Sequence, residues 1–252
     1  MARVTIAPAG APEAAPHAHR AAARVVAAAS GAVAGAAIIV AVVVALLTAW
    51  WAGIVAAAVV GGGAWAWLVG PRWRSAEARA LALAGPARPA AAPGEARVLN
   101  LVEGLAPGAG LARPELMVID DEAPNALALG RDARRGVVVV TSGLLSALDR
   151  MQLEAVVAHL LVQVRDGVTA AATLSLAFRP SRAPAPVDMA QADTAAVALT
   201  RYPPALAAAL EVVAAGGPAA PRHASPVLGP LWLVPPGDRA GAAGRVDALR
   251  GL

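Results

Sequence analysis

Residues 153–167 read LEAVVAHLLVQVRDG, and this stretch decides which fold the chain is expected to adopt. Asp149 and Gln152, just before it, match the D-x-x-Q pattern of a capping box at a helix N-terminus. The pattern therefore predicts a helix that begins after Asp149 and runs through Val164. A lone histidine in such a helix, here His159, is more often a hydrogen-bonded core or cleft residue than a metal ligand.

The composition indicates a membrane protein. Hydrophobic residues make up 58% of the chain, charged residues 15%, and the mean hydropathy is +0.60, which is too apolar for an ordinary soluble domain. All 21 basic residues are arginines, scattered among 17 acidic residues, so the net charge of +4 does not indicate a nucleic-acid partner. The chain has no cysteine, which excludes disulfides and thiolate metal sites and agrees with a reducing compartment.

Residues 25–71 contain no charged side chain, and we predict that they form a two-helix transmembrane hairpin. The run is about long enough for two helices of roughly 20 residues each, with a break near residues 48–53. A secretory signal peptide, the alternative, has an apolar core of only about 7–15 residues. Residues 1–24 are Ala/Pro-rich and predict a disordered tail. Five of the six tryptophans fall where the two membrane interfaces would lie: Trp50 and Trp51 at one, and Trp65, Trp67 and Trp73 at the other.

The arginines around this hairpin predict its orientation. Arg20 and Arg24 precede it, Arg72, Arg74 and Arg79 follow it, and the connecting turn has none. Because cytoplasmic flanks carry the excess of arginine, both termini and the main domain are expected in the cytoplasm of a multi-pass cell-membrane protein. The lipid bilayer is thus the first predicted partner.

The remaining sequence predicts a mainly helical α+β domain with a small three-stranded sheet. Residues 72–93 form a short amphipathic helix and a Pro/Ala linker, residues 94–216 the compact domain, and residues 217–252 a Pro/Gly-rich segment with a short terminal helix. The strand-like runs are 115–120, 125–130 and 136–141, and further helices are expected near 95–106, 187–200 and 203–216.

Several segments occur in an order that resembles a known family. They read NLVEGLA, VIDDEAPNALALG, VVVVTSGLL, LEAVVAH, ADTAAVALTRYPPALAAALE, LWLVPP and GRVDALRGL. Together with the hairpin, they resemble the HtpX-like integral-membrane zinc metalloproteases, which are gluzincin peptidases, over most of residues 72–252. The resemblance implies a gluzincin-like metalloprotease domain after the membrane hairpin.

The resemblance also assigns four positions to zinc chemistry. The family uses an H-E-x-x-H helix with two histidine ligands and a glutamate base, and a third ligand, a glutamate, from a later helix. Here the first ligand falls on His159, the general base on Leu160, the second ligand on Gln163 and the third on Met189. Leucine cannot accept a proton, a neutral amide is a poor zinc ligand, and a thioether suits copper(I). No catalytic residue and no cofactor are therefore expected.

Two features leave alternatives open. Asp188, Asp193 or His223 could rebuild a site around His159, giving an active zinc-dependent membrane metalloendopeptidase with an unconventional ligand set. The family also usually has a second apolar pair of membrane segments between its two ligand-bearing helices. Here Val168–Phe178 is about half of a bilayer crossing, and it could be a helix extension or a surface-lying piece.

One strand offers a function without zinc. By resemblance, residues 124–130 match the strand that pairs with an extended substrate backbone, so Asn125, Ala126, Leu127, Ala128 and Leu129 form the candidate peptide-binding strand. The alternative is that this strand merely fills the sheet of a purely structural membrane protein. The favoured prediction is a catalytically inactive HtpX-like homologue that binds polypeptide segments or a membrane-protein partner at the cytoplasmic face.

Overall fold

The computed structural model describes residues 30–31, 34–35, 37–44, 46–47, 50–91, 93–216 and 221–252. Three consecutive helices begin at residue 50: α1, Trp50–Leu68, α2, Gly70–Arg74, and α3, Ala76–Ala84. They follow one another almost without a break, since Trp73 N donates to Val69 O at 2.8 Å and Arg79 N to Ser75 O at 2.9 Å. Among the described residues, Trp51–Arg74 is the one helix long and apolar enough to cross a membrane. Only 11% of its most apolar window is buried, so its side chains are free to face lipid.

The described residues between 30 and 47 are helical and lie against α1. Trp65 Nε1 donates to Ser30 Oγ at 3.0 Å, and a Cβ added at Gly61 would lie 2.5 Å from the Cβ of Ala37. The two contacts run in opposite chain directions, as in an antiparallel pair. The predicted hairpin also depends on residues 25–29, 48 and 49, which lie outside the described residues, as does the predicted tail 1–24, so the complete hairpin stays a prediction.

The sheet has four strands, so the prediction of three was wrong by one. The strands are β1, Ala87–Pro89, β2, Glu115–Ile119, β3, Ala126–Leu129, and β4, Val137–Thr141, in the order β1-β2-β4-β3. β2 and β4 are parallel, and the other pairs are antiparallel. The missed strand β1 lies in the predicted Pro/Ala linker. Its proline is tolerated because β1 is at the edge of the sheet. Its Arg88 also binds Glu95 and Asp120, at 2.6 and 3.0 Å.

The helices of the domain agree closely with the sequence patterns. The central helix begins with the predicted capping box: Gln152 N donates to Asp149 Oδ1 at 2.9 Å, and Asp149 N to Gln152 Oε1 at 3.0 Å. The helices are α4, Ala96–Gly108, α5, Ser142–Ala147, α6, Arg150–Arg165, α7, Val168–Phe178, α8, Met189–Thr200, α9, Pro203–Ala215, and α10, Arg239–Arg250, with a 3₁₀ helix at Pro226–Leu231.

Helix α6 is the centre of the domain, because α4, α7, α8, α9 and β3 all contact it. Every residue from 155 to 164 is buried. Helix α7 turns away from α6 by 72° after Gly167 and packs against α3 and β3. Thr169 Oγ1 donates to Gly130 O at 3.1 Å, and Gly130 N donates to Thr173 Oγ1 at 3.0 Å. The segment Val168–Phe178 is therefore a helix packed within the domain rather than a piece lying on its surface.

Candidate functional site

His159 lies in the middle of α6 and is completely buried. Its Nδ1 atom is 2.9 Å from Oδ1 of Asp193, a residue of α8. This contact is close but does not have the alignment of a hydrogen bond, and Nδ1 has no other partner among the described residues. Arg245 of α10 binds the same carboxylate in bidentate fashion, with Nε 2.6 Å from Oδ2 and Nη2 2.8 Å from Oδ1. The Nδ1 side of the imidazole thus faces an ion pair.

The opposite side of the ring faces neutral groups. Gln163, one helical turn further along α6, places its amide nitrogen 3.0 Å from Nε2 of His159 and 3.0 Å from Sδ of Met189. Met189 is the first residue of α8. An amide nitrogen has two N–H groups, so one can donate to the imidazole and the other to the thioether. The structure therefore brings together His159, Gln163 and Met189, the residues at the three ligand positions that the resemblance assigns.

The surroundings determine the charge of both titratable groups. Burial lowers the pKa of His159, and this outweighs the opposite effect of Asp193. Burial raises the pKa of Asp193, but the hydrogen bonds from Arg245 and the close contact with His159 Nδ1 bring it down to about 2. A neutral imidazole beside an ionised carboxylate follows, with the proton on Nδ1 facing Asp193 and the lone pair of Nε2 facing the amide of Gln163.

The other candidate residues do not complete a metal site. Leu160 is fully buried. Asp188 caps α8, where it accepts hydrogen bonds from Ala190 N and Gln191 N at 3.1 and 3.2 Å. His223 lies beside Gly85, at which a Cβ would be 3.2 Å from the His223 Cβ. Within the described part of the chain, no three His, Cys, Asp or Glu side chains are grouped to hold a metal ion.

The candidate peptide-binding strand is at the edge of the sheet and is wholly buried. Strand β3 contains Ala126, Leu127, Ala128 and Leu129, and its outer edge contacts a segment near the C-terminus, residues 232–234, which we call the strap. Leu127 pairs antiparallel with Trp232, and Leu233 N donates to Ala126 O at 2.7 Å. The chain's own strap thus occupies the edge at which a peptide was predicted to add.

Two polar side chains hold the strap. Asn125 Nδ2 donates to Val234 O at 2.8 Å, and Asn125 Oδ1 accepts from Val234 N at 3.3 Å. Arg245 Nη1 donates to Leu233 O at 2.5 Å. Arg245 therefore joins the strap to the Asp193–His159 pair. Sequence reasoning missed this role, for which the only signal was an arginine inside the apolar pattern of the closing GRVDALRGL segment.

An open cavity of about 830 Å³ lies next to this site. Asp188, Met189 and Arg245 form part of its wall. Five prolines contribute much of the rest: Pro186, Pro226, Pro230, Pro235 and Pro236. Met189 is only 8% exposed, so this side chain lies between the cavity and the buried His159 and Gln163.

Comparison with known proteins places this geometry in a family context. Residues 94–161 match the model of peptidase family M48. A Protease HtpX homolog of Dictyoglomus thermophilum is 51% identical over 69 residues, which are 27% of this chain and 23% of that protein. One from Tropheryma whipplei is 47% identical over 70 residues, 28% and 24% of the two chains, and one from Acidiphilium cryptum is 44% identical over 96 residues, 37% and 32%.

These matches cover a limited part of this chain and of each relative. The chain spans about a quarter to a third of the length of these curated relatives. The family match contains His159 and Leu160 but ends at residue 161, before Gln163 and Met189. The assignment of those two positions therefore depends on their contacts with His159 and with each other.

Proposed function

Because this chain is an HtpX-like member of peptidase family M48, we propose that it is a pseudoprotease, a membrane homologue that does not cut peptides. One observation supports this most strongly. The amide nitrogen of Gln163 lies within 3.0 Å of both His159 Nε2 and Met189 Sδ, so it supplies two neutral N–H donors where the family would place a cation.

The groups around His159 do not fit a hydrolytic zinc ion. Such a site needs three nitrogen, oxygen or thiolate ligands and an open position for water. His159 offers one imidazole nitrogen, Gln163 a neutral amide and Met189 a soft thioether that prefers copper(I). The nearby carboxylate, Asp193, is on the Nδ1 side and is already bound to Arg245.

The general base is missing as well. The position that follows His159 is Leu160, a buried side chain that cannot take a proton from water. The ionised carboxylate closest to the ring, Asp193, is only 3% exposed and contacts the wrong imidazole nitrogen for this task. For hydrolysis to occur, other groups would have to supply both the missing metal ligands and the missing general base.

A direct test is a proteolysis assay with detergent-purified protein and unfolded casein. We expect no cleavage above that of a His159→Ala variant, with or without a chelator. Cleavage that a chelator stops and that His159→Ala removes would instead establish the alternative, an active metalloendopeptidase with an unconventional ligand set.

We further propose that the retained cleft binds a polypeptide segment of a client or of a membrane-protein partner, by exchange with the strap. An extended peptide can replace residues 232–234 because it offers the same backbone groups to the edge of β3. Specificity would come from the adjoining proline-lined cavity of about 830 Å³, which is apolar apart from Asp188, Asp238 and Arg245.

Val234→Pro tests the exchange, because it removes the strap N–H that donates to Asn125 Oδ1 and leaves Asn125 and β3 intact for an incoming peptide. The freed strap should leave the β3 edge more often, so fluorescent unfolded casein should bind several-fold more tightly, as measured by anisotropy. Asn100→Ala is the control, since Asn100 is exposed on α4. Equal casein affinity of the two variants, both shown to be folded, would contradict the exchange.

For the membrane part, we propose the two-helix hairpin with both termini and the domain in the cytoplasm. The Ser30–Trp65 and Ala37–Gly61 contacts and the arginines after Pro71 support it. Since the chain has no cysteine, a single Ala240→Cys can be labelled selectively in intact cells. An impermeant maleimide should react only after permeabilisation, and labelling of intact cells would refute this orientation.

A further inference from the structure

A loop of the domain is fixed to the end of the candidate membrane span. This loop, residues 130–136, connects β3 to β4. Arg131 Nε is 3.2 Å from Glu77 Oε1, its Nη1 donates to Trp73 O, and its guanidinium carbon lies 5.5 Å from the centre of the Trp73 ring. The Arg131 side chain is only 6% exposed. The loop therefore cannot move independently of Trp73.

The position of Trp73 places this loop near the membrane surface. Trp73 and Arg74 end the candidate span, and a bilayer core of about 30 Å uses roughly 20 helical residues. Trp73 is 38% exposed, as expected for an interfacial tryptophan. Glu77 is one helical turn beyond it, about 6 Å along the axis. Arg131 touches both, so the loop lies at the level of the lipid headgroups.

The charge on this face is mostly unpaired arginine. Arg134 and Arg135 are exposed on the loop, and within the described residues neither has an ion-pair partner. Within the part of the chain that the structure describes, Arg72, Arg74 and Arg79 donate to neutral oxygens four residues earlier, those of Leu68, Gly70 and Ser75. Three carboxylates lie on the same face: Glu77 binds Arg131, Asp132 Oδ1 accepts from Arg134 N at 2.8 Å, and Glu115 is exposed.

A cavity of about 720 Å³ separates the loop from α3 and β2. Its wall includes Arg113, Arg134 and Arg135, together with Glu77, Glu115 and Asp132. Arg113 is paired with Glu103 at 2.7 Å, and Glu77 and Asp132 lie 3.2 and 3.9 Å from Arg131. Among the described residues of the wall, Arg134 and Arg135 therefore face one carboxylate without an ion pair, that of Glu115, and leave a net positive charge for an anion.

We propose that the Arg131–Arg135 loop is a second membrane contact, which binds the anionic phospholipid headgroups around the span through Arg134 and Arg135. Guanidinium groups bind phosphate oxygens in bidentate geometry, and an anionic leaflet concentrates such groups at this height. The contact would hold the domain at a fixed tilt over the bilayer. It depends on Trp51–Arg74 crossing a membrane but not on whether the chain is a protease.

Fluorescence quenching tests this contact in the full chain. The chain has no cysteine, so Ala133→Cys labels the loop alone, and Ala243→Cys labels α10, which packs on α8 and α9, as the control. Both are reconstituted with headgroup-spin-labelled lipid in phosphatidylcholine, with or without phosphatidylglycerol. Quenching at residue 133 should be at least about twofold stronger than at 243, because quenching needs close approach of the spin label to the fluorophore. It should increase with phosphatidylglycerol, because arginines within about a Debye length of the surface are attracted to anionic headgroups.

Charge variants separate binding from mere proximity. In the Ala133→Cys background, Arg134→Gln with Arg135→Gln should remove the increase caused by phosphatidylglycerol, and the two Arg→Lys changes should keep most of it. Equal quenching at 133 and 243, no response to phosphatidylglycerol, or an unchanged response in the glutamine variant would each overturn the proposal.

Discussion

The two sides of the His159 ring differ in kind. On the Nδ1 side, Asp193 and Arg245 form a buried ion pair that links three helices and, through Leu233, the strap. On the Nε2 side, the neutral groups of Gln163 and Met189 lie at the ligand positions that the family resemblance assigns. The charged side links α6, α8 and α10, whereas the neutral side links only α6 and α8. We therefore expect the fold to depend more on the charged side than on the neutral side.

The largest expected effect comes from the charged side. Arg245→Ala leaves the Asp193 carboxylate buried and without its bidentate partner, which should lower the free energy of unfolding by about 3–5 kcal/mol. Arg250→Ala on the same helix is the matched control, because its ion pair with Glu211 is exposed and worth at most about 1 kcal/mol. Denaturant titration in detergent measures both losses. Equal losses would show that the buried ion pair contributes no more to stability than the exposed one.

A smaller effect is expected on the neutral side. Gln163→Met keeps the approximate volume but removes the donor to His159 Nε2, so a buried acceptor is left unsatisfied at a cost of about 1–3 kcal/mol. The same titration should rank this variant between Arg245→Ala and Arg250→Ala. A loss as large as that of Arg245→Ala would mean that Gln163 is as important for the fold as the ion pair.

The pH dependence should be smaller still. The pKa of His159 in the folded chain is lowered from its ordinary value of 6.5. Below pH 6.5, this histidine is therefore protonated in the unfolded chain while it is still neutral in the folded chain. Stability is then complete above about pH 6.5 and falls as the pH drops below it, by at most about 1.4 kcal/mol per pH unit. His159→Gln should flatten this slope, and an unchanged slope in that variant would show that another group causes it.

The sequence predicted the scaffold better than the connections. The capping box of Asp149 and Gln152 located α6, because capping depends only on residues three positions apart. Strand β1 was missed, because its pairing with β2 joins residues about 30 positions apart and its prolines argue against a strand in local patterns. Arg245 was missed for the same reason, since its partner Asp193 is far away in sequence.

The site was predicted only in part. Helical periodicity places His159 and Gln163 on one face of α6, but their contact with Met189 requires the packing of α8 against α6, for which the sequence has no local signal. The occupation of the β3 edge by residues 232–234 was not foreseen. An LWLVPP segment contains no signal that says which strand it will join, so only the folded chain shows that Asn125 and Arg245 bind it.

Zinc stoichiometry tests the central claim most directly. The measurement is mass spectrometry of detergent-purified protein, with a triple variant, Leu160→Glu, Gln163→His and Met189→Glu, as the positive control, because it restores the base and both ligands on the retained frame. We predict far less than one zinc per natural chain and close to one per triple variant. A full equivalent of zinc in the natural chain, lost on His159→Ala, would contradict the account.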